Sequence, residues 1–489
     1  MAGARLLKES LIYGVSAALS ALVGFVLLPV YTRAFTPAEY GVLAQINATT
    51  NFAAIFTIFG LDNSAAVWFW DRPSEEERRR TFTSWLAFTL VVGALVATLA
   101  VLGRNVLATR LFGDAGYAHL WLYFAANALL FNLSKIANIW FRSVRRPVVA
   151  VALAIVPPTV ACVLGVLLVR SFHLGLSGAL AAQVAASTMG AVVTVLSLRS
   201  VLRVRAVDLG RLRAMLAFSS PLVLMTGLSW LMGSAVVYVV GFTCSPADAG
   251  LYQVGNSLAS VVGIAAFAFT QAWTPHALSI RDEEEARRTY GLATEASAVA
   301  GLVVAFASAA FAVPALRVVA RPQYEPAESV LSLLAANNVL LALPQVFSVT
   351  FAVRKRSLPL AKATALGAAV TVVTIPLLSR WHGKEGAALA VLAGSTTLVV
   401  AAFRDSQRIM PIDVRLGRLG LATATAAVWA VAFALVRQLD HDSGLPVMIL
   451  TRMALTLSLI VALAVLYRHP LRSLWRAFRA RRVQSASTA

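Results

Sequence analysis

The chain has 489 residues, 59% hydrophobic and only 13% charged, a balance that excludes a soluble globule with an ordinary polar surface. Its net charge of +20 raises nucleic acid as a partner, so the placement of the basic residues has to decide. Two cysteines, Cys162 inside an apolar run and Cys244 beyond a later one, supply neither a disulfide framework nor metal-ligand spacing, and no cofactor is expected.

About 20 apolar residues are needed to cross a bilayer, and the sequence offers fourteen such segments. In chain order they lie near 9–33, 40–62, 84–106, 117–139, 148–170, 174–198, 216–241, 250–272, 291–314, 327–352, 358–378, 384–404, 418–437 and 446–467. The first follows Arg5 and Lys8, is too long for a signal-peptide core and reaches Arg33 without a cleavage site, so it reads as a retained span. With the amino terminus in the cytoplasm, 31 of the 42 Lys and Arg residues fall in cytoplasmic loops and tails and 9 in the opposite loops; Lys135 and Arg452 lie within spans. That bias is the positive-inside pattern. It places both termini in the cytoplasm and accounts for the charge without nucleic acid.

Thr36–Gly41 reads TPAEYG and, 209 positions later, Ser245–Gly250 reads SPADAG, each between two spans. The same offset pairs Asn47 with Asn256, Asn51 with Ser260 and Asp62 with Gln271. Two helix starts can converge on a capping box with proline at the first helical position, but capping leaves the downstream polar pairs unexplained. Duplication of a membrane unit in the same orientation explains both, and such repeats place a substrate path between the halves. The expected architecture is an all-α integral membrane protein with two parallel six-helix bundles, residues 1–200 and 216–410. A basic cytoplasmic linker, 201–215, joins them, followed by an added pair of helices, 411–467, and a basic tail, 468–489. In the tail, Leu471, Leu474, Trp475 and Phe478 share a face, which suits a helix lying on the anionic inner leaflet. The stretch DRPSEEERRR, Asp71–Arg80, reads as a solvated charged helix start.

The candidate site is polar rather than catalytic. Asn47, Asn51 and Asp62 form one stripe on the second span, and Gln253, Asn256, Ser257, Ser260 and Gln271 one on the eighth. Polar groups in lipid are costly, so both stripes should face protein or a water-filled cavity; helix packing through hydrogen bonds is the competing explanation. Asn127, Ser134 and Asn138, with Lys135 beside them, and Asn338 with Gln345 are weaker candidates. Arg33, Lys135 and Arg452 are candidate anion contacts, although Arg33 could equally meet a lipid headgroup and Lys135 and Arg452 lie where they could snorkel. No phosphate-binding loop, HExxH, GxSxG or facing carboxylate pair occurs, and the loops leave no room for an external catalytic domain.

The run LLPVYTRAFTPAEYGVLAQ with GLDNSAAVWFWD resembles the start of the bacterial polysaccharide flippases of the Wzx type. FSSPLVL, AGLYQVGNSLASVVG and FTQAWTPHALS, with AWTP at Ala272–Pro275, are similar to the matching second-half segments. The resemblance implies two bundles around a cavity that alternates between leaflets, in the cytoplasmic membrane. The implied cargo is an undecaprenyl-pyrophosphate-linked oligosaccharide on its way to O-antigen or exopolysaccharide, with a polymerase, glycosyltransferases and a coupling ion as possible partners. A lipid II-type flippase, a cation-coupled drug exporter of the same superfamily and, from a different class, a membrane glycan polymerase or ligase stay open at this point.

Overall fold

The computed structural model describes residues 25–71, 74–202, 206–354, 356, 358–439 and 444–467, without the side chains of 265–268, 271, 272 and 275. The expected tail helix therefore lies outside the described residues. Every regular element is helical: α1 (Phe25–Ala34), α2 (Pro37–Ile58), α3 (Leu61–Asp71), α4 (Glu75–Phe112), α5 (Leu120–Leu130), α6 (Leu133–Ser143), α7 (Pro147–Val166), α8 (Gly175–Leu198) and α9 (Leu209–Met232). They continue as α10 (Val236–Thr243), α11 (Pro246–Ser279), α12 (Glu283–Ala310), α13 (Ala312–Val319), α14 (Glu328–Phe347), α15 (Val349–Val353), α16 (Leu358–Ile409), α17 (Leu416–Leu439) and α18 (Leu445–Leu466).

Among the described residues, 11 helices are long and apolar enough to cross a membrane. Twelve of the fourteen expected spans fall on these helices, α16 carrying two of them. α16, with 52 residues, would run roughly 78 Å unbroken, but non-helical backbone at His382 and Gly383 folds it into two of the expected spans. The first span is described only from Phe25, and the eighth is α11, 34 residues long. The outward faces are what lipid requires. Val91, Leu95, Leu99, Leu102 and Val106, at helical spacing on α4, are each more than half exposed. The chain is a multi-pass membrane protein.

Both TPAEYG-type turns start helices through their caps. Thr36 forms the complete capping box with Glu39. Ser245 accepts the Asp248 N–H at 3.0 Å and donates its hydroxyl to the Asp248 carboxylate, as Thr36 does to Glu39, but Asp248, one methylene shorter, makes no return bond to the cap's backbone N–H. A second matched pair was not singled out in the sequence: Ser74 caps α4 ahead of Glu75–Glu77, and Asp282 caps α12 ahead of Glu283–Glu285.

The charged start of α4 is more than a solvated surface. Glu75 and Glu76 are exposed, but Glu77 pairs with Arg211, whose side chain is 9% exposed and which lies in the first turn of α9, inside the stretch expected as a linker. Arg211 also donates to Thr81 Oγ1 at 3.0 Å, and Asp208 N–H donates to Ser84 Oγ at 2.8 Å. The start of α9 is thus fastened to α4. Arg211→Ala is expected to expose residues 206–215 and speed trypsin cleavage there severalfold in limited proteolysis of membranes.

The C-terminal pair is fastened to the second half at both ends. Buried Glu295 of α12 accepts the Arg415 N–H ahead of α17, and Arg437 in the last turn of α17 pairs with Glu328 at the start of α14.

Candidate functional site: a cavity between the halves

The two repeated turns meet. Gly41 lies against the Pro246 carbonyl, and Gly250 lies reciprocally against the Pro37 carbonyl. A Cβ on either glycine would overlap that carbonyl oxygen and come within 3.1 or 3.0 Å of the other glycine's nitrogen. Only a residue without a side chain lets the two backbones approach this closely. Around this crossing the halves are stitched by bonds to backbone carbonyls: Thr32 Oγ1 to Val319 O at 3.2 Å, Arg33 Nη2 to Val318 O at 3.1 Å, and Tyr324 Oη to Phe35 O at 3.0 Å. One apolar cluster continues the seal, joining Leu28, Phe35 and Leu43 to Leu251, Leu316 and Leu331.

Directly beneath the seal lies a cavity of about 970 Å³. Its roof includes Tyr31 and Tyr40, and its walls carry Asn47 and Asn51 from α2 and Gln253, Asn256, Ser257 and Ser260 from α11. The repeat-related amides therefore face one space. Among the described residues, the side chains of Asn47, Asn51 and Asn256 make no hydrogen bond to the protein and none is sealed from the cavity, so their amides are open to a ligand or water. Gly233 and Ser234, between α9 and α10, complete the wall. A second compartment of about 700 Å³ adjoins it and shares Asn47, Asn51 and Gln183. It adds Asn127, Ser134, Lys135 and Asn138, with Pro157 and Pro158 from the middle of α7. Lys135 is exposed to this compartment. No carboxylate lines either compartment among the described residues.

Several sequence candidates fall elsewhere. Asp62 leaves the α2 stripe because Phe59 and Gly60, both with positive φ (47° and 66°), end α2 and redirect the chain into α3. Its carboxylate accepts from Asn63 at 3.3 Å and does not line the cavity. Asn338 donates to Ala259 O at 2.9 Å and fastens α14 to α11, which is the packing role. Asn127 lines the second compartment, but its Oδ1 already accepts from Ser187 at 2.8 Å. The Gln271 side chain lies outside the described residues. Arg33 sits in the seal and not in the cavity. Arg452 is 3% exposed and donates to Ala310 O at 2.8 Å, away from both compartments. It satisfies the last carbonyl of α12, one of the acceptors a helix end leaves unpaired.

Gln183 was missed. It lies on α8 four residues before Ser187, on the same face, and the two line the second compartment together, so a polar pair within a span was the available signal.

The fold is similar to that of a solved structure described as the lipid II flippase MurJ in an inward closed conformation, with a TM-score of 0.72 at 11% identity, covering 95% of this chain and 100% of that one. It is also similar to an inward-facing multidrug resistance MATE family transporter of the MOP superfamily, with a TM-score of 0.61 at 14% identity over 82% and 98% of the two chains. These likenesses establish the fold, one used by flippases and transporters. No curated protein sequence matches the chain. Residues 30–329 match a family described as polysaccharide biosynthesis protein, a stretch that holds both repeated turns, both amide stripes and the second compartment. On that match the chain belongs to the polysaccharide biosynthesis protein family.

Proposed function

We propose that this protein is a flippase for lipid-linked oligosaccharides, carrying undecaprenyl-pyrophosphate-linked repeat units from the inner to the outer leaflet by alternating access. The observation that carries this reading is the cavity walled by matching amides of both halves beneath a seal made of the two repeated turns. Sugar hydroxyls need donors and acceptors, and Asn47, Asn51, Gln253, Asn256 and Ser260 supply them. A pyrophosphate needs donors or cations, and Lys135 in the second compartment supplies the charge. The prenyl tail stays in lipid.

On this reading the sealed end faces the periplasm and the capped starts of α4 and α12 face the cytoplasm. Rocking of the halves breaks the seal and exposes the cavity to the outer leaflet. The absence of a carboxylate from both compartments, among the described residues, speaks against a cation-coupled drug exporter, which needs an acidic residue where its cation binds.

The test is transport by purified protein in proteoliposomes holding an undecaprenyl-pyrophosphate-linked oligosaccharide. Each amide lost removes hydrogen bonds worth about 1 kcal/mol. Asn47→Ala with Asn256→Ala is therefore expected to slow flipping roughly tenfold or more. Asn338→Ala, whose bond is internal, is expected to leave the rate per folded molecule unchanged. Equal rates in all three proteins would remove these amides from the substrate path.

A further inference from the structure

Beside the seal, on the far face of α1 from the main cavity, lies a separate pocket of about 690 Å³. α1 is the partition: Leu27, Leu28 and Tyr31 face the cavity, whereas Val26, Pro29, Val30 and Arg33 face this pocket. Its lining contains Arg33, Arg170, His173 and Arg321 and no carboxylate. Among the described residues, none of the three arginines forms an ion pair; the nearby Arg317 takes Glu325 and Thr36 takes Glu39, so the neighbouring acids are engaged.

The backbone around two of these residues is unusual. Arg170 lies in a π-helical turn, Leu167–Ser171, that ends α7, and His173 just after it has φ 52°, a left-handed conformation in a residue with a Cβ. π-turns and such strained residues gather at functional sites. This turn brings both basic side chains to the pocket. The rest of the lining, with Val26, Pro29, Val30 and Val169, is largely apolar. A cationic rim over an apolar wall at the end of a membrane bundle is complementary to an amphiphile whose phosphate ester meets the arginines while its chain follows the helix.

We propose that this pocket binds the phosphate ester of a membrane lipid and that the bound anion holds the seal shut. Arg33, Arg170 and His173 come from the first half and Arg321 from the second, so an anion among them joins the halves next to the bonds of Thr32 and Arg33 to Val319 and Val318. Without it, like charges face one another across the seal. A lipid that binds only the closed arrangement favours it by its differential affinity. The binding site stands independently of which cargo the central cavity carries. The phosphate has two sources, a bilayer phospholipid or a polyprenyl phosphate.

The test is the melting temperature of the detergent-solubilised full chain with phosphatidylglycerol, phosphatidylcholine of the same acyl chains, undecaprenyl phosphate or inorganic phosphate. Phosphatidylglycerol is expected to raise it by about 3 °C or more over phosphatidylcholine. Arg170→Gln with Arg321→Gln is expected to remove most of that increment, while Arg145→Gln with Arg146→Gln, basic residues outside this pocket, retains it. All four side chains are exposed, so folding is spared; Arg321→Gln alone serves as a second variant. A shift with undecaprenyl phosphate but not phosphatidylglycerol assigns the site to the polyprenyl lipid. An undiminished increment in the Arg170 and Arg321 variant, no shift with either lipid, or an equal shift with inorganic phosphate overturns the proposal.

Discussion

Replacing Gly41 or Gly250 by alanine is expected to open the seal. The added methyl at either position meets a carbonyl oxygen and a backbone nitrogen of the opposing turn, neither of which can rotate away as a side chain would. α2 and α11 must separate, and the bonds from Thr32, Arg33 and Tyr324 to the opposite half lengthen with them. Overpacking of this kind costs about 1–3 kcal/mol. Because that cost applies only to the sealed state, it shifts the population toward the open one by roughly 5- to 150-fold. A single cysteine at Ser257 in the cavity, with Cys162 and Cys244 replaced, reports the change. A membrane-impermeant maleimide added outside cells should label it slowly in the parent and at least about fivefold faster with Gly250→Ala. Gly41→Ala should do the same, and the two together less than additively, since the sites touch. Equal labelling would mean that the turns part and reclose without regard to their contact.

Arg452→Ala is expected to destabilise the protein rather than abolish substrate binding. The guanidinium donates to the final carbonyl of α12 and lies 5.5 Å from the centre of the Phe433 ring, so it joins α18, α12 and α17 in one cluster. Charged hydrogen bonds contribute about 1.5–3 kcal/mol, and here the orphaned carbonyl would sit in an apolar environment. Melting temperature should fall by about 2–5 °C, with partial recovery in Arg452→Lys. Transport per folded molecule should be retained. Unchanged melting with lost transport would return Arg452 to the substrate path.

That residue marks the limit of what periodicity can convey. The apolar runs and their caps specify the helices, because twenty-residue hydropathy and Ser/Thr–Pro starts act locally. The amides of Asn47, Asn51, Gln253 and Asn256 and the hydroxyl of Ser260 reach one cavity because helical spacing keeps them on one face of unbroken α2 and α11. Asp62 shares their apparent phase, but two left-handed residues, one of them a phenylalanine, interrupt the helix before it. Nothing in a hydropathy window marks that break. Asn338 and Asn256 look alike in sequence, and only the neighbour decides: Asn338 has a helix carbonyl within reach, and Asn256 has open space. The seal is the least legible part. Its bonds end on the backbone carbonyls of Val318, Val319 and Phe35, which leave no side-chain signature, although the glycines that permit it close each repeated motif. The clamp at the start of α9 is similar, since in the sequence Arg211 is one of several basic residues of an expected linker and its partner Glu77 lies 134 positions away.

The most direct measurement is to delete the gene and locate the lipid-linked intermediates by leaflet-selective labelling. A flippase predicts that complete undecaprenyl-linked repeat units accumulate on the cytoplasmic leaflet. The wild-type gene should relieve this build-up, and Asn47→Ala with Asn256→Ala should relieve it poorly. Accumulation of single units on the outer leaflet, or no change in these lipids, would contradict the account.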